Sequence, residues 1–206
     1  MVVAAIGQHR IGPNAIIQVI NALVARFGEQ STNAFFIDAG LERYIRERPG
    51  NMVSEHDVAE LQIELRERYG PPMAREICRD AGKRTGDYLL AHRIPRLAQQ
   101  LLRLMPAGLA ARLLARAISK HSWTFAGSGT FTVLPGTPFR FSIRHNPLCN
   151  RIRSDVPVCD YYAATFERIF QATVHPGSRV IETECEATGA SACVFEVSWA
   201  GDARNP

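Results

Sequence analysis

The sequence has no apolar run long enough to cross a lipid bilayer, because no stretch approaches about 18 apolar residues without a charge. Residues 1–7 are apolar, but they lack a basic segment and are too short for a signal peptide. With no export signal, the odd number of five cysteines indicates a reducing compartment. We therefore predict a cytoplasmic protein, and peripheral contact with a membrane stays open.

Fingerprints of common enzyme classes are missing as well. The chain contains no Gly-x-Ser-x-Gly elbow, His-Glu-x-x-His pair, P-loop or kinase motif set. Gly127 and Gly129 lack the third glycine of a dinucleotide loop and lead into a strand, so we predict a hairpin turn there. No nucleotide or flavin fingerprint is present, and no further cysteine cluster indicates iron–sulfur chemistry.

Lysine is scarce, since only two of the 24 basic residues are lysine and the rest are arginine. An arginine-rich surface suits carboxylates and phosphates, which the planar guanidinium binds with paired hydrogen bonds. The net charge is +4 and the isoelectric point is about 9.0. This excess is too small to indicate a nucleic-acid partner, so none is predicted.

The first part of the chain, about residues 12–120, carries apolar residues at helical spacing. Glycine and proline divide it, and Ser54 resembles the N-cap of a capping box. The predicted helices cover residues 12–28, 31–48 and 54–68, a break follows at 69–72, and another helix covers 73–92. Within the last of these, Gly82 and Gly86 let either another backbone or a ligand come close.

Residues 94–120 form a basic amphipathic stretch that is divided at Met105-Pro106. Arginines alternate with many leucines along it, and no acidic residue interrupts them. Such a stretch is typical of a helix on a membrane surface, or of one facing an anionic ligand. A core helix with a solvated basic face remains the alternative.

From residue 121 the hydrophobic period changes to that of strands. Runs at 123–125, 131–134 and 139–143 are rich in aromatic and β-branched residues, and turns separate them. A last helix is predicted over 157–173, before a hairpin. Helices followed by antiparallel strands define an α+β class. We predict a single domain, with a helical part at about 12–120 and a sheet and cysteine part at about 121–200.

The cysteines of the last part have a spacing that suits a common site. Cys185 and Cys193 flank a turn near Gly189, which places them opposite each other across the predicted hairpin. Cys159 follows Pro157, a favoured first position of a helix, where the dipole favours a thiolate. A zinc site, a disulfide and unrelated buried thiols all stay open. Cys149 is a loop thiol that could replace Cys159 as a ligand, whereas Cys78 is expected to pack as a small apolar side chain.

The cysteine region resembles the C-terminal signature of the 4-vinyl reductase domain family. The matching positions are Pro157-Val158-Cys159-Asp160-Tyr161, Glu182-x-x-Cys185 and Gly189-x-x-x-Cys193-x-Phe195, with Asp80-Ala81-Gly82-x-x-x-Gly86 and Phe125-x-Gly127-x-Gly129 upstream. The whole chain, with its opening stretch Arg10-Ile11-Gly12-Pro13-Asn14, is similar to the members of this family that act in bacteriochlorophyll biosynthesis.

The resemblance implies a mixed fold that is shared with a Golgi-transport component and with the sensing domains of phenol-responsive transcription activators. It also implies a zinc ion held by Cys159, Glu182, Cys185 and Cys193. Four protein ligands would make this zinc structural. Glu182 and Cys185 face opposite ways in a regular strand, so both can bind one ion only if the strand contains a bulge.

The family also implies a function. We expect a protein of bacteriochlorophyll biosynthesis that binds a magnesium tetrapyrrole and carries or presents it to enzymes of that pathway. Reduction of a vinyl group on a divinyl precursor is the alternative, and a ligand-sensing module is a second one. The predicted contacts with the ligand are Arg75, Arg79, Gly82, Lys83, Arg84, Gly86 and Arg93, and a homodimer stays open.

Overall fold

The computed structural model of the chain describes residues 9–199, and the first half of this range is helical. Its elements are β1 Arg10–Ile11, α1 Asn14–Asp38, α2 Arg43–Arg46, β2 Val53–Ser54, α3 Glu55–His92, α4 Arg96–Leu104 and α5 Ala107–Lys120. Strands β1 and β2 pair antiparallel and form a small separate sheet.

Two glycines interrupt the long helices at the predicted places. Gly28 in α1 has a φ of 79° and Gly70 in α3 has a φ of 75°, a region that glycine adopts without a side-chain clash. The predicted end of the second helix at residue 48 is wrong. The helix ends at Asp38, because Gly40 adopts a φ of 67° and its amide closes the last turn on the Ile37 carbonyl.

The second half forms a four-stranded antiparallel sheet that one helix covers. Its elements are β3 Thr130–Leu134, β4 Phe139–Arg144, α6 Asp160–Thr173, β5 Arg179–Glu184 and β6 Cys193–Ser198, and the strand order is β3-β4-β6-β5. The predicted combination of a helical half with an antiparallel sheet is therefore confirmed. Apolar residues of both halves join in one core cluster.

Three local predictions of the second half need correction. The sequence predicts a strand at 123–125, but the Ser122–Thr124 segment is a 3₁₀ turn in which the Thr124 amide donates to the His121 carbonyl. The turn at 127–129 leads into β3, whereas the hairpin turn between β3 and β4 lies at 135–138. Helix α6 begins at Asp160 and not at residue 157, because the Cys159 amide is bound by Glu182 from β5.

Helix α6 holds the two halves together. Its Phe166 packs on Phe131, Phe141 and Phe195 of the sheet. Its other side contacts α3, where the Thr165 hydroxyl donates to the Gly82 carbonyl at 3.1 Å. The first residue of α6 directly follows Cys159, so this central helix also fixes the position of the cysteine region.

Candidate metal centre

Four buried cysteines meet at one end of the sheet. The sulfur atoms of Cys149, Cys159, Cys185 and Cys193 all lie within 4.8 Å of one another. Cys193 is the hub, at 3.5 Å from Cys149, 3.7 Å from Cys159 and 3.9 Å from Cys185. No pair among these cysteines forms a disulfide, since all four are free thiols. The structure therefore brings together the three predicted cysteine ligands and adds a fourth.

Each thiol comes from the end of a different element. Cys149 lies in the loop after β4, Cys159 is the N-cap of α6, Cys185 directly follows β5, and Cys193 opens β6. Gly189 ends the turn between the last two with a φ of 94°, as expected for a left-handed cap. The predicted hairpin is confirmed by the antiparallel pairing of β5 and β6.

The loop that carries Cys149 is organised by a buried amide side chain. The Asn146 carbonyl oxygen accepts from the Leu148 amide at 3.0 Å, and its Nδ2 donates to the Cys159 sulfur at 3.2 Å. The Glu186 carboxylate accepts from the Asn146 amide at 2.7 Å and anchors the start of the loop. N–H groups directed at sulfur favour the thiolate form, which is the form that binds metals.

The cluster has the dimensions of a tetrahedral thiolate site. A zinc–sulfur bond of about 2.3 Å corresponds to a sulfur–sulfur separation of about 3.8 Å in a regular tetrahedron. Four of the observed separations lie between 3.5 and 3.9 Å. Burial and the neighbouring thiols raise the pKa of Cys159, because a second negative charge in the cluster is unfavourable without a cation. The residues therefore fit one zinc ion.

Glu182, the predicted carboxylate ligand, lies beside this cluster and outside the group of four sulfurs. Its Oε2 accepts from the Cys159 amide at 2.7 Å, while its Oε1 is buried without a hydrogen-bond partner among the described residues. Burial, together with the charge of Cys185, raises the pKa of Glu182 to about 8. The fourth position of the tetrahedron is thus filled by Cys149, and Glu182 holds the backbone of a ligand.

The bulge required by the sequence is present. Glu182 pairs with Phe195 and Glu184 pairs with Val194, so Thr183 is the extra residue in β5. An extra residue reverses the side on which the following side chains point. Glu182 and Cys185 therefore both reach the end of α6, although their spacing in a regular strand would separate them.

The fifth cysteine is separate from the cluster. Cys78 is buried in α3, and its thiol donates to the Gln62 side chain at 3.2 Å. Burial raises the pKa of Cys78 to about 11, so the thiol stays protonated at neutral pH. The prediction that Cys78 packs as a small, nearly apolar side chain is confirmed.

The predicted ligand glycines face a helix. A side-chain carbon at Gly82 would lie 2.3 Å from the Tyr161 carbonyl, and one at Gly86 would lie 2.7 Å from the Arg168 side chain. Of the two interpretations left open for these glycines, close helix packing is the one that the structure shows. They do not line an open slot for a macrocycle, because α6 fills that space.

The predicted basic contacts divide into two groups. Arg75 and Arg79 pair with Asp160 of α6 at 3.0 and 3.6 Å, and they line a cavity of about 80 Å³ beside Glu182. This volume is far below the several hundred Å³ of usual ligand sites. The remaining three are Arg84, which pairs with Asp80 at 3.0 Å, and Lys83 and Arg93, which are exposed and have no ion pair within residues 9–199.

The fold and the cysteine site match a known domain. Residues 139–198, which run from β4 to β6, match the model of the 4-vinyl reductase domain. This segment contains all four clustered cysteines. The match therefore covers the part of the chain that carries the candidate metal centre.

Relatives match along nearly the whole chain. The bacteriochlorophyll synthase 23 kDa chain of Cereibacter sphaeroides is 49% identical over 192 residues, which cover 92% of this chain and 90% of that protein. The protein of the same name from Rhodobacter capsulatus is 39% identical, with 91% and 86% covered. The chain belongs to the family of the bacteriochlorophyll synthase 23 kDa chain, as the sequence resemblance predicts.

Solved structures share the fold at low sequence identity. A mutant of the T. tengcongensis H-NOX protein has a TM-score of 0.58 at 13% identity, covering 95% of this chain and 99% of that one. The sensory domain of the phenol-responsive activator PoxR has a TM-score of 0.51 at 15% identity, covering 71% and 75%. The sequence resemblance predicts the likeness to the phenol sensor, whereas it gives no sign of the likeness to H-NOX proteins.

Proposed function

We propose that this chain is a tetrapyrrole-binding protein of bacteriochlorophyll biosynthesis, which carries or presents a magnesium porphyrin intermediate to enzymes of the pathway. The observation that carries the proposal is the fold likeness over nearly the whole chain to H-NOX proteins, a family in which the distortion of a bound heme has been probed. Heme and the chlorophyll precursors are both tetrapyrroles. The names of the relatives supply the pathway.

Vinyl reduction is the second candidate function, because the domain match and the 4-vinyl reductase signature both point to it. Such a reduction requires a hydride donor beside the vinyl group. The sequence carries no nucleotide or flavin fingerprint to bind one, which favours the carrier. A sensing module is a third candidate, supported by the fold likeness to the PoxR sensory domain.

For the ligand carboxylates we propose Lys83 and Arg93 as partners. Both are exposed near the C-terminal end of α3, and neither is engaged in an ion pair within the described range. Arg75, Arg79 and Arg84 are poorer partners, since carboxylates of the protein already occupy them. An arginine or lysine near the rim of a macrocycle suits its propionate groups.

The zinc ion is part of the proposal. We infer that Cys149, Cys159, Cys185 and Cys193 hold one structural zinc, which joins the loop after β4, the start of α6 and the last hairpin. Protein purified without chelator should contain about one zinc per chain, as measured by elemental analysis. A content below about a tenth of that would contradict the proposal.

The fourth ligand is tested by cobalt substitution, because the absorption of a Co²⁺ site reports the number of thiolates. We expect Glu182→Gln to keep the spectrum of a four-sulfur site and Cys149→Ser to lose it. The opposite result, with Glu182→Gln altering the spectrum and Cys149→Ser leaving it intact, would return the carboxylate to the ligand set.

The function is tested by anaerobic incubation with divinyl protochlorophyllide and NADPH, scored for bound pigment and for loss of the vinyl group. Binding without turnover supports the carrier, and turnover supports the reductase. No binding would leave the sensor. Lys83→Ala and Arg93→Ala should weaken binding by about tenfold each, as loss of one charged hydrogen bond does. Arg144→Ala, an exposed arginine of β4, is the matched control.

A further inference from the structure

Helix α4 presents a stripe of leucines that nothing in the described structure covers. Leu97, Leu101 and Leu104 recur at helical spacing on one side, and they are 74%, 58% and 84% exposed. None of the residues of α4 is buried. Single exposed leucines are ordinary on protein surfaces, whereas a row of three on one short helix marks a contact surface.

The orientation of α4 is nevertheless well determined. Leu102 and Met105, on the inner side, pack against the core cluster. The Gln99 side chain donates to the Leu90 carbonyl at 2.6 Å and to the Ile94 carbonyl at 2.8 Å. Arg103 donates to the Ala172 carbonyl at the end of α6. These contacts fix which side of the helix faces outward, and that side carries the leucines.

The charge around this stripe has one sign. The next acidic residue after Asp87 is Asp155, so the whole of α4 and α5 carries no carboxylate side chain. The exposed basic residues of this stretch are Arg93, Arg96, Arg103, Arg112, Arg116 and Lys120. On α5, Leu109 and Leu113 are 47% and 37% exposed beside Arg112 and Arg116.

We propose that α4 and α5 form a docking surface for an anionic lipid bilayer. The leucines of α4 enter the boundary between headgroups and acyl chains, while the arginines remain at the level of the lipid phosphates. This is the combination of apolar and basic residues that interfacial helices use. The proposal goes beyond pigment binding and does not depend on it.

Other occupants fit the surface less well. A second copy of this chain would place the same positive charge against itself, which is unfavourable across an interface. Among the described helices, none is long and apolar enough to cross a bilayer, so contact at the surface is the mode open to them. An anionic bilayer offers both an apolar layer and the opposite charge.

The test is co-sedimentation of the pigment-free full chain with phosphatidylglycerol-containing vesicles and with pure phosphatidylcholine vesicles. We expect binding to the anionic vesicles that weakens as salt is raised. Leu97→Ser with Leu104→Ser should weaken it by at least about tenfold. The matched control is Ile37→Ser with Val156→Ser, two residues of similar exposure outside α4 and α5, which should leave binding unchanged.

Charge is tested separately. Replacing Arg96, Arg112 and Arg116 with Gln should weaken binding about a hundredfold, at about fivefold for each basic residue at the lipid surface. Arg46, Arg144 and Arg153, all exposed, provide a control with the same change in net charge. Equal loss from both triple variants would mean that only net charge matters, and would overturn the docking surface.

Two further outcomes would overturn the proposal. Absence of vesicle binding by the wild-type chain, or equal binding to both kinds of vesicle, would remove the anionic bilayer as the occupant. Conversion of a wild-type dimer to a monomer by the leucine variant, with vesicle binding unchanged, would assign the stripe to a second copy. Pigment binding is scored in a separate titration, so failure of the carrier function and failure of membrane docking remain distinguishable.

Discussion

Helices α6 and α4 show opposite relations to the rest of the molecule. In α6, 12 of 14 residues are buried, and in α4 none of nine is. The core specifies the residues of α6, because each faces the sheet, α3 or the cysteine cluster. Nothing in the described fold requires the three exposed leucines of α4. The difference teaches that burial explains the composition of α6, and that an external partner is needed to explain α4.

The largest effect is expected at the end of α6 that adjoins the metal centre. Cys185→Ser should abolish soluble folding, because a structural zinc site contributes on the order of 10 kcal/mol, which is comparable to the whole stability of a domain. The measurement is the yield of soluble protein and its circular dichroism. Cys78→Ala is the control, with an expected cost of about 1 kcal/mol. Equal damage from both variants would identify the cluster as ordinary core thiols.

The next effect lies at the interface of α6 with α3. Gly82→Ala should lower the free energy of unfolding by about 3 kcal/mol, because the new methyl group meets the Tyr161 carbonyl. Gly108→Ala in α5 meets no atom within 4 Å and should raise it by up to about 1 kcal/mol through helix propensity. Urea denaturation measures both. Stabilisation by Gly82→Ala would show that α6 is not packed as closely as described.

A smaller effect is expected at the first turn of α6. Asp160→Asn removes the carboxylate that Arg75 and Arg79 share, and its side chain is only 8% exposed. We expect a loss of about 2 kcal/mol, as for a hydrogen bond between charged groups. Asp80→Asn breaks the exposed pair with Arg84 and should cost less than about 0.5 kcal/mol. Equal costs in urea denaturation would contradict the greater importance of the buried carboxylate.

The smallest effect is expected in α4. Leu101→Ser should change the stability by less than about 0.5 kcal/mol, because the side chain is already in water. Leu114→Ala in α5, which is 4% exposed, should cost about 2–5 kcal/mol. Thermal melts without lipid compare the two. A large loss from Leu101→Ser would place α4 within the folding core and end the contrast with α6.

Local sequence signals predicted the parts of the fold that depend on neighbouring residues. The breaks at Gly28 and Gly70, the division of α4 from α5 at Met105-Pro106 and the cysteine hairpin follow from backbone preferences. The bulge in β5 was also accessible, since the spacing of Glu182 and Cys185 requires it. These features need no knowledge of what packs against them.

Contacts between distant segments decided the rest. Cys149 was one loop thiol among two candidates for a single position, and only the folding of its loop around Asn146 brings it to Cys193. The two interpretations of Gly82 could not be separated without knowing that α6 crosses α3 there. The start of α6 depends on a hydrogen bond from Cys159 to Glu182 on another element. Such contacts have no signature in the local sequence.

The bulge in β5 has a consequence beyond the metal centre. Strand β5 is an edge of the sheet, and Ile181 on it is 63% exposed. A regular edge strand with an apolar side chain is a template on which another chain can add its own strand. The extra residue at Thr183 interrupts the regular row of backbone groups. The irregularity that turns Glu182 and Cys185 to the same side therefore also makes this edge a poor start for aggregation.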